Sequence, residues 1–416
     1  MHHFTYRDGR LFAEDVSVEE LVAAYGTPLY VYSAATLRRH FTAFDSAFAG
    51  LTHMTCFSVK ANSNLCVLKL LGSLGAGMDI VSGGELYRAL AAGIPAEKIV
   101  YSGVGKRPEE IRQALSAGIL MFNVESMAEL AAISRIADDM GVVAKVSLRI
   151  NPDVDPKTHP YISTGMKKNK FGLDLRQSKE AYALARDLPA IEPVGMDCHI
   201  GSQLTTIEPF LEALDKILDF YEELKHMGLN IRYLDLGGGL GITYNEEEPP
   251  HPSEFGEALT RRLKGLPLTV ILEPGRVIVG NAGILVFKVV YTKKTPSKSF
   301  VIVDAAMNDL VRPALYGSFH RIGEVVPQAR EVIEVDVVGP ICESSDFLAR
   351  DRSLPEVEPG ELLVAYSAGA YGFVMSSQYN SRCRAAEVLV DGGRAILARR
   401  RETYEDLVAL ECDCLE

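Results

Sequence analysis

The sequence predicts an α/β chain built from a (β/α)8 TIM-like barrel and a C-terminal, mostly-β domain that N-terminal strands complete. Three observations carry this reading. Short apolar, β-rich runs alternate with helical patterns through the first two thirds of the chain. Beyond Arg276 strand-like runs follow one another with little helix between them. The 416 residues are 47% hydrophobic and 24% charged, the composition of an ordinary globular protein longer than one average domain.

Eight runs qualify as barrel strands: Cys56–Lys60, Met78–Ser82, Ile99–Gly103, Leu120–Val124, Lys145–Ile150, Val194–His199, Tyr233–Leu236 and Thr269–Glu273. Helical periodicity separates them, as in Glu85–Ala92 and Met127–Asp139. Gly93, Gly118 and Gly141 stand where helices need a C-terminal cap. Repeated β-then-α units require a parallel sheet buried on both faces, and eight units close a barrel of ordinary size. The barrel is expected over residues 33–276, with 1–32 and 277–416 forming the β-rich domain. There the candidate strands are Ile284–Thr292, Phe300–Val303, Glu331–Val338, Leu362–Tyr366 and Ala385–Val390, and Phe4–Phe12 and Pro28–Tyr32 are placed as possible additions to that sheet. Asn151–Gly172 has no steady period and is rich in Pro, Gly, Asn and Lys, which marks a long functional loop.

Charge and targeting signals narrow the function. Lys plus Arg number 43 against 55 for Asp plus Glu, a net charge of −12. That balance disfavours nucleic acid and anionic membranes as partners. The apolar stretch from Leu268 to Tyr291 is broken by Glu273-Pro274-Gly275-Arg276, so it does not read as a membrane span. The N-terminus lacks the basic and apolar regions of a secretion signal. Seven scattered cysteines suggest a reducing, cytoplasmic setting, and the pair Cys412 and Cys414 cannot complete a four-ligand zinc site, so no metal is expected.

Barrel enzymes hold their reactive groups at the C-terminal ends of the strands. Strand one ends in Lys60. There a partly desolvated amine suits Schiff-base chemistry, although on position alone a surface lysine is the commoner reading. Strand six ends in His199-Ile200-Gly201-Ser202-Gln203; the histidine can stack on a planar ring, act as an acid or base, or be a satisfied core residue. Strand seven ends in Asp235-Leu236-Gly237-Gly238-Gly239. Three glycines let backbone N–H groups approach a phosphate, or simply make a tight turn, and Ile242 excludes the dinucleotide fingerprint. Strand eight ends in Glu273-Pro274-Gly275-Arg276, where a carboxylate can hold a ring nitrogen protonated and an arginine can bind an anion; a structural ion pair is the plainer alternative. In the second domain Arg312 can meet a carboxylate, Cys342 beside Glu343 can donate a proton, and Tyr371 can donate to a phosphate. Each of these three also has a packing or surface reading. Together the strand ends offer an amine, a flat-ring partner, a phosphate cradle and a carboxylate, which are the needs of pyridoxal 5′-phosphate.

At these residues the chain resembles the fold-type III pyridoxal-phosphate decarboxylases, and among their branches the diaminopimelate decarboxylases. The likeness runs over nearly the whole chain from Pro28 onward. It is most specific at Ser58-Val59-Lys60-Ala61-Asn62, Asn151–Gly172, His199–Gln203, Glu273–Arg276, Arg312-Pro313-Ala314-Leu315-Tyr316 and Cys342-Glu343-Ser344. The loop and the Cys-Glu-Ser motif set it apart from the ornithine decarboxylase branch. Phe57-Ser58 departs mildly from the Tyr-Ala common before the Val-Lys pair.

The resemblance implies that Lys60 holds the cofactor as a Schiff base, His199 stacks on its ring and Glu273 pairs with the pyridine nitrogen. Gly237, Gly238, Gly239, Gly275, Arg276 and Tyr371 meet the phosphate, and Asp79 and Ser202 complete the cofactor contacts. Arg276, Arg312, Tyr316, Glu343 and Tyr371 match substrate-binding positions, and Cys342 matches the proton donor. By the same likeness the chain forms a head-to-tail homodimer with shared active sites, Cys342 and Glu343 coming from the partner. The implied reaction decarboxylates meso-2,6-diaminopimelate to L-lysine and CO2, the last step of lysine biosynthesis by that route. The rivals are a relative acting on another basic amino acid or a carrier-bound acyl substrate, and a non-catalytic cofactor-binding protein.

Overall fold

A computed structural model of the chain describes residues 2–155 and 170–411. Most of the loop expected at Asn151–Gly172, and the Cys412 and Cys414 tail, lie outside those residues. The chain divides into two compact units, His40–Ile242 with Glu247–Val277, and Met1–Arg39 with Thr243–Glu246 and Ile278–Glu416. Among the described residues no helix is long and apolar enough to cross a membrane.

The first unit is a closed barrel of eight parallel strands: β1 (His53–Ser58), β2 (Gly77–Ile80), β3 (Ile99–Tyr101), β4 (Met121–Val124), β5 (Ala144–Arg149), β6 (Ile191–Asp197), β7 (Tyr233–Asp235) and β8 (Thr269–Leu272). Each pairs with the next, and β8 returns to β1 through Val270 opposite His53. The eight runs read from the sequence are these strands, but most end a residue or two sooner than the apolar pattern suggests. Lys60, His199 and Glu273 therefore sit just past strand ends, Lys60 in the 3-10 turn Val59–Ala61.

Seven helices alternate with the strands: α2 (Leu65–Ser73), α3 (Gly83–Ala91), α4 (Pro108–Ala117), α5 (Met127–Asp139), α6 (Leu175–Asp187), α7 (Glu208–His226) and α8 (Pro252–Leu263), while α1 (Ala34–Ser46) precedes them all. Their starts follow from capping chemistry. Ser82 accepts from the Glu85 N–H and Ser126 from the Glu129 N–H, each at 3.2 Å. Asp174 and Gln177 form a reciprocal capping box at α6. Gly118 ends α4 in the left-handed region at φ 71°.

After β8 only a short helix, Arg276–Val279, follows. The outer ring is completed instead from before β1. Phe44 of α1 packs at a tilt and the nearby Phe48 edge-on against Phe255 of α8, with ring centroids 6.5 and 5.9 Å apart. Gly256 allows this close approach, since a Cβ there would lie 2.4 Å from the Ala47 carbonyl oxygen.

The barrel interior is layered. Cys56, Val100, Leu120, Met121, Val194 and Ile271 form an apolar floor. Toward the C-terminal strand ends the buried positions turn polar, with Asp79, Asn123, Asp197, Asp235 and Glu273. Polar groups withdrawn from water on that scale demand partners, which places the chemistry at this end.

The second unit is a mixed nine-stranded sheet whose long strand Gly283–Lys294 pairs with Ser299–Val303, Leu362–Ala365 and Leu29–Ser33. Leu29–Ser33 is buried along its whole length and also runs parallel to Ala386–Asp391. The expected N-terminal contribution is thus half corrected. Leu29–Ser33 joins the sheet, whereas the Phe4–Phe12 run breaks at Asp8-Gly9 into a hairpin, Phe4–Arg7 with Arg10–Ala13. That hairpin forms a separate three-stranded sheet with Val16–Ser17. Both residues of the break have positive φ, 48° and 72°, which a strand cannot carry. Phe347–Pro355 and Arg394–Arg399 are further strands, interrupted or flanked by arginine, that the sequence reading left out. They are the sheet's edges, where charged residues are tolerated and useful. The core below the sheet gathers Leu11, Leu21, Val31, Ile284, Val364 and Val388.

At the N-terminal end of β1, His53 Nε2 lies 3.3 Å from Asp45 Oδ1, and Thr55 Oγ1 donates to the same oxygen at 2.7 Å. The hydrogen bond to Asp45 raises His53 above its usual pKa, and the same bond lowers Asp45. The raised histidine contributes stability below about pH 6.5 that is lost as pH rises through its folded value. The lowered aspartate contributes above about pH 4 and loses its share as pH falls further. Denaturant unfolding of the protein and of Asp45→Asn should differ most between about pH 4 and 6.5, by less than about 1 kcal/mol for this half-exposed pair. A difference that grows above pH 8 would contradict the assignment.

Candidate active site

The strand ends bring one set of polar side chains together. Lys60 Nζ lies 2.7 Å from Asp79 Oδ2. Asp79 is fully buried on β2, and its Oδ1 has no hydrogen-bond partner among the described residues. Ser58 Oγ stands 2.9 Å from both Asp79 Oδ2 and the Glu273 carbonyl oxygen, tying β1 to β2 and β8.

His199, just past β6, accepts a hydrogen bond at Nδ1 from the Gly238 N–H at 3.1 Å. Burial, reinforced by the charges of Arg149 and Lys60, pushes its pKa well below the usual histidine range. The ring is therefore neutral at physiological pH, and with Nδ1 accepting, the proton sits on Nε2. Gly237 and Gly239 both have positive φ, 63° and 119°. A Cβ at Gly237 would come within 2.6 Å of His199 Nδ1, and one at Gly238 within 2.1 Å of the Glu273 carbonyl oxygen. Only glycine lets this turn lie against both neighbours.

Glu273, just past β8, is buried. Ser102 Oγ donates to its Oε1 at 3.3 Å and Asn123 Nδ2 at 3.4 Å. Burial first, then the charges of Asp235 and Asp79, hold its carboxyl well above the usual carboxylate range. Gly275 is buried beside it, and Arg276 donates from Nη2 to Ser202 Oγ at 3.1 Å. Lys60, Asp79, His199, Ser202, Gly237, Gly238, Gly239, Glu273, Gly275 and Arg276 thus share the C-terminal end of one barrel.

A second layer supports them. Arg149, buried on β5, donates from Nη1 to Glu125 Oε1 at 2.8 Å and from Nη2 to the His199 carbonyl oxygen at 3.3 Å. Glu125 Oε2 also accepts the Gly172 N–H at 2.8 Å, and Leu173 N donates to the Arg149 carbonyl oxygen at 2.8 Å. The base of the loop after β5 is bound to the residue that fixes the His199 backbone.

The remaining residues singled out in the sequence lie in the other unit. Arg312 is buried, with Nη1 2.8 Å from His320 Nε2 and its guanidinium 4.5 Å over the Tyr244 ring. Tyr316 closes the same short helix, Arg312–Tyr316. Cys342 and Glu343 are exposed; Cys342 N donates to Asn380 Oδ1 at 2.7 Å and Tyr379 OH to Glu343 Oε2 at 3.2 Å. Tyr371 is half-buried with a positive φ of 55°.

Sequence reading missed Ser102, Asn123, Glu125, Arg149, Asp197, Tyr244 and His320, and left Asp235 without a role. Asn123 and Arg149 carry a signal in retrospect, a polar side chain near the end of an otherwise apolar strand. Tyr244 and His320 carry none, because only the fold brings them to Arg312.

The donor set fits a pyridoxal phosphate. A buried carboxylate orients a strand-end amine, a neutral imidazole offers a flat face, glycine N–H groups line a turn, and a proton-retaining carboxyl faces the same space. The orphaned Asp79 Oδ1 and the glycine turn that no Cβ can enter are the observations that carry this fit. Fold and site together define an enzyme of the pyridoxal-dependent decarboxylase class. The model of the pyridoxal-binding domain of pyridoxal-dependent decarboxylases matches residues 34–280. Diaminopimelate decarboxylase of Haemophilus influenzae is 55% identical over 413 residues, covering 99% of each chain. The crystal structure of the Helicobacter pylori diaminopimelate decarboxylase complexed with L-lysine is 46% identical and superposes with a TM-score of 0.92, covering 94% of this chain and 98% of that one. That of M. jannaschii, also with L-lysine, gives 41% identity and 0.94 over 99% of each chain. The chain belongs to the diaminopimelate decarboxylase family.

Removing the Arg149 guanidinium leaves Glu125 and Asp197 buried without their cation. Arg149→Met should lower the unfolding free energy by about 3–5 kcal/mol in denaturant titration. Stability within about 1 kcal/mol of the parent would show that the two acids are solvated or neutral.

Proposed function

We propose that this chain decarboxylates meso-2,6-diaminopimelate to L-lysine and CO2, the last step of lysine biosynthesis by the diaminopimelate route, with pyridoxal 5′-phosphate as its cofactor. The observation that carries the proposal is the convergence of Lys60, His199, the Gly237–Gly239 turn and Glu273 on one barrel end in a full-length member of this family.

Bound there, the cofactor supplies an electron sink that lets an α-amino acid lose its carboxylate. The chain's own groups do the rest. Lys60, held as an ammonium beside Asp79, is the amine that anchors the cofactor. The neutral His199 ring offers its face without adding charge. Glu273, whose burial favours the protonated form, would share that proton with the ring nitrogen of the bound cofactor. Backbone N–H groups of Gly237–Gly239 and the Gly275-Arg276 turn, with Tyr371, take the phosphate. Asp79 and Ser202 hold Lys60 and Arg276 in place.

The substrate's distal end carries both a carboxylate and an ammonium. Arg276 and Arg312 suit the first, Glu343 suits the second, and Tyr316 lies beside Arg312 on its short helix. Cys342 delivers the proton that replaces the lost carboxylate. The reading includes a head-to-tail homodimer in which Cys342 and Glu343 complete the partner's site, consistent with their exposure in the single chain. It also includes cytoplasmic residence, which the free thiols of Cys56, Cys66, Cys198, Cys342 and Cys383 fit.

CO2 release by purified protein should favour meso-diaminopimelate over ornithine by about a hundredfold or more. A substrate without the distal carboxylate forgoes a buried ion pair of a few kcal/mol. Equal turnover would overturn the substrate assignment. Mixing inactive Lys60→Ala and Cys342→Ala proteins after dissociation should restore activity to about a quarter of the parent level, because half of the reassembled dimers carry one intact shared site. No recovery on mixing would place both residues in the same subunit's site.

A further inference from the structure

We propose that Asp235 and Asn123 are positioning residues that join the Gly237–Gly239 turn and the Glu273 carboxyl into one unit, holding the phosphate end and the ring-nitrogen end of the cofactor in a fixed relation. This rests on the reading that pyridoxal phosphate binds at this barrel end.

The bonds form a closed circuit. Asp235 is fully buried as the last residue of β7. Its Oδ1 accepts the Gly237 N–H at 2.9 Å, which fixes the first glycine of the turn in its left-handed conformation. Its Oδ2 accepts from Asn123 Nδ2 at 2.9 Å. The same amide nitrogen lies 3.1 Å from Ser102 Oγ and 3.4 Å from Glu273 Oε1. Glu273 N closes the ring by donating to the Gly237 carbonyl oxygen at 2.7 Å. Asn123 and Asp235 stand on β4 and β7, and Ser102 and Glu273 just past β3 and β8. Asn123 is itself fixed from behind, since its carbonyl oxygen accepts at 2.8 Å from Lys106 Nζ, a buried ammonium also 2.7 Å from Glu129.

The donors in this circuit are all neutral. Among the described residues no Lys or Arg nitrogen pairs with Asp235 or Glu273; Lys60 stands at Asp79 and Arg149 at Glu125. The other ionisable groups facing the pair are Asp79, Asp197 and the Cys56 thiol. A cation at the Asn123 position would oppose a protonated ring nitrogen. A neutral amide orients both carboxyls without adding a charge, and with the Gly237 N–H it opposes the upward push that burial gives Asp235. Asp235 therefore acts through Glu273 and through the turn, without touching the cofactor itself.

The test is a double-mutant cycle read on cofactor binding and on the pH at which the bound cofactor's visible absorbance titrates. Asn123→Ala should weaken pyridoxal 5′-phosphate binding by about tenfold to a hundredfold, the loss of one hydrogen bond shared by charged groups. It should also shift the absorbance transition. In a Glu273→Gln background the same change should cost less than about threefold, because the partner is already gone. Asp235→Asn, which keeps the size of the side chain, should shift the transition by replacing the carboxyl that accepts from Asn123 and Gly237. Additive losses in the cycle, or unshifted transitions in both variants, would overturn the proposal. Should Asn123→Ala fail to fold, Ser102→Ala removes only the outer hydroxyl. A shift in its absorbance transition supports the circuit, and an unchanged one counts against it. Borohydride reduction and peptide mapping of the parent separate the two readings. Label absent from Lys60 sinks the cofactor assignment, whereas label on Lys60 with additive losses sinks the positioning role alone.

Discussion

Burial of four carboxyl groups, Asp79, Asp197, Asp235 and Glu273, at the C-terminal end of a single barrel governs how this site is built. Carboxyls so withdrawn from water must be paired with a cation, hydrogen-bonded or left protonated. The structure uses all three solutions. Asp79 takes Lys60, Asp197 lies 4.0 Å from Arg149, Asp235 takes neutral N–H donors, and burial pushes Glu273 toward its protonated form. The roles differ because the partners differ, although the side chains are nearly the same. An amine held by one acid and a proton kept by another, within one pocket, is how a barrel lacking any unusual residue supports carbanion chemistry.

Much of this was legible in the chain. The eight strands announced themselves because a parallel strand covered on both faces must be apolar throughout, and Lys60, His199 and Glu273 stand where each apolar run stops. The three glycines at 237–239 were visible for a similar reason, since the close approach to His199 and Glu273 excludes any side chain. What escaped notice were partners that only the closed barrel assembles. Asn123 lies 112 positions from Asp235 and 150 from Glu273 in sequence, and no local pattern relates them. The β-rich unit was harder still. Its edge strands are charged, and the Phe4–Phe12 run hid a turn at Asp8-Gly9 whose backbone no alternation of apolar residues reveals.

The site's two layers divide the work between specificity of shape and control of charge. The inner groups present an amine, a ring face, N–H donors and a carboxyl. The outer groups, Arg149 with Glu125 and Asn123 with Ser102, set where those inner groups point. Arg149 also reaches the base of the following loop through Glu125 and Gly172, so the backbone of His199 and that of the loop exit share one anchor.

The position of Leu29–Ser33 has a consequence for how the chain is made. This short apolar strand is hydrogen-bonded on one edge to Gly283–Lys294 and on the other to Ala386–Asp391. Its second partner leaves the ribosome about 350 residues after it does, roughly 20–70 s at common elongation rates. Until Gly283–Lys294 is made, about 250 residues after them, five residues destined for complete burial have no sheet to join, and their second edge stays open for the rest of that interval. The barrel, whose last strand ends at Leu272, can close well before then. Nascent chains are thus most exposed to aggregation through an N-terminal segment that must wait for the C-terminus, and factors that shield emerging polypeptides will act there first.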